Sequence, residues 1–547
     1  MSYNSDTIAA IATASGNGSI SIIRVSGVDS IAAVDKIFHK NISINDAIIS
    51  DNNSDVSGQS VTSIRVDSSS SDDGHTVVSC KTDYLSSVST HTVHHGWIGV
   101  STDEIIDEAL VLVMRAPGSY TAEDVVEIQC HGGGLAAKKI LELLLHHGVR
   151  LAEPGEFTKR AFLNGRIDLT QAESVMEVIS SKSELALSTA AEHLRGDVRD
   201  VIRSMREVIL TDMAYLEAAL DDPEHIEMDD YSETLLSHLD PIEDKLSVIL
   251  KSSENGRFIS EGINTVIVGR PNVGKSSFLN CILRQDRAIV TDVPGTTRDT
   301  LEEDVRLGGL LLRLVDTAGI RETSDEVESI GVEKAKSAVE HADLLICVLD
   351  SSEELTSEDR CILNMCKDKS SIVLLNKSDL GAVIDVESIR REISSFSGTA
   401  TDDRESYGDY QRSGDGERKS EVDDQKSGID YQRSDASDRI SVMEFSARTG
   451  EGLKELETLI EDKLLSEFLS ESDRQSVPVI TNLRQKEALS EVKTSIDRLR
   501  ETISAGMPED LLTVDLLNAY ESLGRITGDT FEDDLVDKIF SDFCMGK

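Results

Sequence analysis

The 547 residues are enough for about two to four domains with their own cores. The formal charge of −46, from 55 Lys and Arg against 101 Asp and Glu, excludes a broad electrostatic nucleic-acid surface, since phosphates would be repelled over most of it. The seven cysteines form no C-x-x-C pair and no metal-ligand spacing, no apolar run approaches the ~18 residues that span a bilayer, and Met1–Asp6 lacks the basic start of a signal peptide; a cytoplasmic protein with reduced thiols and no membrane segment is expected.

Along the chain, Asp51–Ser89 is rich in Ser and Asp with short β-like pieces, and a disordered insertion is expected there. From Thr170 to Glu217 there is no proline, and Val175, Val178, Ile179, Leu185, Leu187, Val198, Ile202 and Met205 recur with helical spacing. The β-branched run Asn264–Val268 then leads into Gly269-Arg270-Pro271-Asn272-Val273-Gly274-Lys275-Ser276, followed by the apolar-periodic stretch Ser277–Leu283. Strand, G-x-x-x-x-G-K-S loop and helix are the context of a phosphate-binding loop. Its glycines let backbone N–H groups turn inward around a phosphate, and the helix N-terminus adds partial positive charge. Lys275 is expected to reach the β- and γ-phosphates, with the Ser276 hydroxyl on Mg²⁺.

The partners follow in order. Gly295–Asp299 reads as a first switch, with Thr297 as a candidate second Mg²⁺ ligand. The apolar run Leu310–Val315 ends in Asp316-Thr317-Ala318-Gly319, so Asp316 can hold the Mg²⁺ shell through water and the Gly319 N–H can sense the γ-phosphate. The next position, where many GTPases carry a water-orienting glutamine, is Ile320, which can neither donate nor accept. In the second switch, Arg321–Val332, one of Glu322, Asp325, Glu326 and Glu328 could hold the water, or the loop is simply charged and solvated.

After the apolar run Ser371–Leu375 comes Asn376-Lys377-Ser378-Asp379, whose Asp379 can accept two hydrogen bonds from guanine and reject adenine. Gly398–Arg439 is rich in Asp, Ser, Gly and Arg, and repeats Asp409-Tyr410-Gln411-Arg412-Ser413 at Asp430–Ser434; a tolerated, disordered surface loop is expected. Ile440–Phe445 leads to Ser446-Ala447-Arg448, a loop suited to back the guanine, and Asn482–Leu523 resumes the helical pattern. Each short string is weak alone, but four in this order and on these elements indicate GTP.

The loop with Asn272, the run Ala288–Asp299, and Asp316–Gly319 followed by Ile320-Arg321-Glu322 resemble the MnmE (TrmE) family of tRNA-modification GTPases. So do Asp6–Ala10, Ile22–Gly27, Tyr120–Glu127, Pro154–Thr158, Phe162–Arg166, Asp168–Glu173 and the ending Phe543-Cys544-Met545-Gly546-Lys547, close to the family's F-C-I-G-K terminus. The resemblance spans both ends and the middle, and fails in the two insertions. It also departs at Arg166, where lysine is expected, and at Asn482–Gln485, where histidine usually follows the arginine.

The resemblance implies a K⁺ ion in place of an arginine finger, held by Asn272, Thr291, Val293 and Thr296, and a water-positioning glutamate at Glu328. The GTP contacts are then Gly269, Asn272, Val273, Gly274, Lys275, Ser276, Ser277, Thr291, Thr296, Thr297, Asp316, Gly319, Asn376, Lys377, Asp379, Ser446 and Ala447. Glu328, Lys275, Asn272 and Cys544 are the catalytic candidates; Cys544 reads either as a nucleophile or one-carbon carrier, or as packing beneath a folate pocket. The family's contacts to 5,10-methylene-tetrahydrofolate or formyl-tetrahydrofolate fall on Arg24, Glu127, Arg166 and Lys547, an acid for the pterin's donors and cations for the folate's carboxylates. The implied partners are a second copy in a homodimer, tRNA, and an FAD protein of the MnmG/GidA type in a heterotetramer or larger complex.

The expected fold is multidomain α/β plus α. A folate-binding and dimerising α+β domain occupies 1–165, a discontinuous helical domain 166–260 and 466–547, and an inserted P-loop (Ras-like) G domain 261–465. The function implied is K⁺-dependent GTP hydrolysis serving addition of a (carboxymethyl)aminomethyl group at C5 of a wobble uridine from a folate one-carbon unit. Against it stand a GTP-dependent RNA or ribosome assembly switch without small-molecule chemistry, and a folate enzyme whose G domain only regulates. Basic clusters such as Lys159-Arg160 with Arg166, and Lys138-Lys139, are small, so much of the tRNA grip is expected from a partner.

Overall fold

The computed structural model describes residues 6–14, 16, 18–40, 84–222, 231–286, 302–315, 339–397, 439–468, 478–530, 533–541, 543 and 546. The chain divides into two compact units, residues 1–176 with 523–547, and residues 177–522.

The first unit holds a seven-stranded sheet of β1 (Ile8–Ile11), β2 (Ile20–Ser26), β3 (Phe38–His39), β4 (Thr92–Gly99), β5 (Ile105–Met114), β6 (Val125–His131) and β7 (Arg150–Leu151). Their order is β3-β4-β5-β6-β2-β1-β7, antiparallel except for the β1–β7 pair. Because side chains alternate across a strand, Ile23, Val25, Val126 and Ile128 face one side. There they form the core with Val34 of helix Ser30–Asp35 and with Ile140 and Leu144 of helix Gly134–His146. The alternate positions, Ile8, Ala10, Arg24 and Glu127, face the other side, where Ile8 and Ala10 pack with Ala152 and Phe157.

The expected insertion Asp51–Ser89 is corrected at its end. Leu85 is fully buried in this core, and Asp35 accepts the backbone N–H groups of Leu85 at 2.7 Å and Ser86 at 2.9 Å. One buried carboxylate and one buried leucine therefore make residues 84–88 part of the domain; residues 51–83 lie outside the described residues. At the other end of the chain, Phe540 and Phe543 pack with Phe162 and Leu169. A Cβ on Gly546 (φ +91°) would strike the Ile11 carbonyl oxygen, so Gly546 lies against the end of β1.

The second unit is built on β8 (Ile263–Val268), β9 (Glu302–Leu307), β10 (Leu310–Val315), β11 (Leu344–Asp350), β12 (Ser371–Asn376) and β13 (Ile440–Glu444), in the order β13-β12-β11-β8-β10-β9. All pairings are parallel except β9–β10. Parallel strands covered on both faces read as unbroken apolar runs, and every residue of β11 and β12 is buried. The Thr170–Glu217 pattern is divided into helices Leu169–Ser180, Glu184–Arg195 and Asp197–Asp221. Ser183 caps the second by accepting the Ala186 N–H, and Gly196 (φ +105°) turns the chain between the second and third, a conformation most side chains resist. Helix Leu483–Ser504 packs along helix Tyr231–Ser260, and Leu185 and Phe258 pack against the core of the parallel sheet.

Candidate functional site

The turn after β8 has little steric slack. A Cβ on Gly269 would meet the Val348 carbonyl oxygen of β11 at 2.5 Å, and one on Gly274 (φ +103°) would strike the Asn376 amide. Both positions need glycine because a neighbouring strand end lies against them. Asn272 adopts a left-handed conformation (φ +66°), which asparagine tolerates better than most residues. The Lys275 Nζ donates to the carbonyl oxygens of Gly269 at 2.5 Å and Arg270 at 2.8 Å. Ser276 and Ser277 are exposed in the first turn of helix Lys275–Asp286, so their hydroxyls and the turn's N–H groups are available to an anion and its metal.

Asn376 holds three motifs together. Its Nδ2 donates to the Val273 carbonyl at 2.8 Å, and its Oδ1 accepts the Ala447 N–H at 2.9 Å. The side chain is buried at the end of β12, which pairs with β11 and β13. Asp379 sits in the following 3-10 turn, where the Ser446 hydroxyl donates to its Oδ1 at 2.8 Å and Arg448 lies 3.9 Å from its Oδ2. The glycine loop after β8, Asp379 after β12 and Ser446–Ala447 after β13 thus converge at the carboxyl ends of parallel strands of one sheet, where open α/β sheets bind ligands.

The expected residues Thr291, Val293, Thr296, Thr297, Asp316, Gly319, Glu328, Cys544 and Lys547 lie outside the described residues. Among the described residues no group of three or more His, Cys, Asp or Glu is placed to hold a metal, and no helix is long and apolar enough to cross a membrane. The described cysteines Cys130, Cys281, Cys347, Cys361 and Cys366 are free thiols, and burial pushes Cys130 up to about 11.

In the first unit, Arg24 and Glu127 are direct cross-strand neighbours of β2 and β6, joined by a 2.9 Å hydrogen bond. The Arg24 guanidinium lies 5.0 Å from the Tyr120 ring centre and 5.7 Å from that of Phe157; Arg166 lies 5.1 Å from the Tyr120 ring. Two cations and one acid therefore gather around one aromatic ring, whose hydroxyl is 2.9 Å from that of Thr158. Tyr120 and Phe157 were not singled out in the sequence, although both stand inside motifs that carried the resemblance. The charge set suits a ligand with a polar heterocycle and carboxylates.

The basic cluster Lys159-Arg160 with Arg166 is corrected. Arg160 is buried and spent on Asp6 at 2.7 Å, Glu156 at 3.0 Å and Glu123 at 3.3 Å, while Arg150 binds Asp6 at 2.6 Å and Glu156 at 2.5 Å. Burial opposes ionisation of Asp6 and Glu156, but the two guanidiniums outweigh it and hold both carboxyls below their ordinary values. Arg160 is an internal counter-ion, and spacing alone could not distinguish it from a surface cation.

A glycine loop between a central parallel strand and its helix, latched by Asn376 to Ala447 beside Asp379, has the form of a P-loop GTPase. Residues 7–166 match the family described as the GTP-binding protein TrmE N-terminus, and residues 169–544 match the MnmE helical domain. Over 99% of both chains, this protein is 44% identical to the tRNA modification GTPase MnmE of Lachnoclostridium phytofermentans. At the same coverage it is 40% identical to the one from Natranaerobius thermophilus and 41% to the one from Moorella thermoacetica. The chain belongs to the MnmE family of tRNA modification GTPases.

Proposed function

We propose that this GTPase works with K⁺ and Mg²⁺ and, beside an FAD protein of the MnmG/GidA type, serves the addition of a (carboxymethyl)aminomethyl group to C5 of the wobble uridine of certain tRNAs. The observation that carries the nucleotide half is the double latch of Asn376 on Val273 and Ala447, beside an Asp379 oriented by Ser446. Lys275 neutralises charge on the β- and γ-phosphates, and Asp379 selects guanine. Ser276, Thr297 and Asp316 (through water) serve Mg²⁺; Asn272, Thr291, Val293 and Thr296 serve K⁺. A cation there takes the part of an arginine finger, and Glu328 replaces the missing glutamine in orienting water.

The Arg24, Glu127 and Tyr120 group supports a folate site, completed by Arg166 and Lys547. A 5,10-methylene- or formyl-tetrahydrofolate bound there supplies the one-carbon unit. Glu127 faces the pterin's donors, the cations hold the carboxylates, and Cys544 is assigned packing or chemistry by the fate of its substitution. The domain layout is a folate-binding and dimerising domain over 1–165, a helical domain over 166–260 and 466–547, and a G domain inserted over 261–465. A cytoplasmic homodimer fits this reading. The charge of −46 is met by a partner that supplies much of the contact to tRNA.

The test is GTP hydrolysis by the full chain in KCl against NaCl at equal ionic strength, with Asn272→Ala alongside. A large K⁺ stimulation that the variant loses is the expected result. Equal, slow rates in both salts would remove the cation mechanism and favour an assembly switch.

A further inference from the structure

Asp350 ends the otherwise apolar strand β11, directly opposite Asn376 in the parallel register with β12. It is almost fully buried, and both its oxygens are engaged. The Ser352 N–H and hydroxyl donate to Oδ1 at 3.0 and 2.6 Å, and the Lys377 ammonium donates to Oδ2 at 2.5 Å. Burial opposes ionisation of this carboxyl, but Lys377 and Ser352 prevail and hold it below its ordinary value. Lys377 is the second residue of the base-specifying string and has a left-handed backbone (φ +67°), so its side chain leaves the turn in a direction that a regular strand end would not give.

The surrounding backbone is tied as well. The Ser351 N–H donates to the Asn376 carbonyl at 2.8 Å, and the Ser351 carbonyl accepts the N–H groups of Val383 at 2.7 Å and Ile384 at 3.2 Å. A few residues on, the same segment meets the phosphate loop: Arg270 pairs with Glu353, and its Nε lies 3.4 Å from Oδ2 of the buried Asp359. Asp359 closes a capping box with Thr356, which fixes its carboxylate. Residues 350–359 therefore supply the acids of three ion pairs, one to Lys377 after β12 and two to Arg270 in the loop after β8.

We propose that Asp350 is a positioning residue for nucleotide binding: by clamping Lys377 it sets the base-specifying turn, within a strap whose far end holds the phosphate loop through Arg270. This rests on the GTPase reading and adds to it a residue outside the nucleotide-contacting strings. Pairing a buried carboxylate with a half-exposed lysine is a way to fix direction, since the lysine would otherwise sample many rotamers in water.

The experiment is dissociation of a fluorescent methylanthraniloyl-GDP from the full chain, with Asp350→Asn, Lys377→Met and the double variant. Asparagine keeps the volume and the acceptor for Ser352 and loses the ion pair. Loss of one charged hydrogen bond predicts dissociation about tenfold faster for Asp350→Asn. The step should vanish in the Lys377→Met background, with the melting of each nucleotide-free variant read alongside to show that the chain is folded. Ser352→Ala, which only loosens the carboxylate, should give a smaller increase in the same direction, and it carries the test if Asp350→Asn does not fold. An unchanged rate in the folded variant, or the same increment in both backgrounds, overturns the proposal. A wild-type chain that fails to bind the probe would instead overturn the nucleotide reading.

Discussion

The two sheets place their candidate sites in different ways. In the parallel sheet, Gly269–Ser276, Asn376–Asp379 and Ser446–Ala447 all follow strand ends, so each part of the site is a short contiguous string. In the antiparallel sheet, Arg24 and Glu127 are mid-strand residues on one face, with Tyr120, Phe157 and Arg166 supplied from elsewhere in the chain. Both faces of the parallel strands are buried, which leaves only their ends for polar chemistry. The antiparallel sheet has one face packed by helices and can carry polar side chains on the other. The first kind of site is therefore concentrated in sequence, and the second is scattered.

The strongest test of the strand-end site is Gly274→Ala. A Cβ there meets the Asn376 amide at a backbone φ of +103°, so GDP affinity should fall by more than about a hundredfold, measured by fluorescence titration. Asn376→Ala comes next. It leaves the Val273 carbonyl and Ala447 N–H without their partners, and GDP dissociation in stopped flow should quicken by about thirty- to a hundredfold.

On the open sheet face the effects should be smaller. Arg24→Ala removes the cation paired with Glu127, and the affinity for formyl-tetrahydrofolate should drop about tenfold by calorimetry. Tyr120→Leu keeps bulk and removes the ring that both guanidiniums approach, with a loss of about threefold expected in the same titration. If both changes left folate affinity untouched, the proposed face site would be wrong while the strand-end site stood.

The pH response is the mildest effect. Asp6, Glu156 and Asp350 are carboxyls held below their ordinary values of 3.8, 4.5 and 3.8, so the stability they contribute is present above those values and is lost as pH falls through the lower, folded ones. Melting temperature should be flat between about pH 8 and 5 and decline only below about pH 4. A decline that began near pH 6 would assign the loss to groups other than these three.

The sequence alone determined the glycine loop after β8, the Asn376–Asp379 turn and the strands that present them, because each sits within a few adjacent residues. It also determined the family, through strings that span the whole chain. Only the tertiary structure decided that Arg160 is an internal counter-ion, that Leu85 belongs to the core beside what reads as an insertion, that Arg24 and Arg166 both approach the Tyr120 ring, and that Asp350 pairs with Lys377. The physical reason is common to all four. Each depends on which residues distant in sequence share one sheet face or one strand end, and composition and periodicity report what a residue is, while packing decides what it meets.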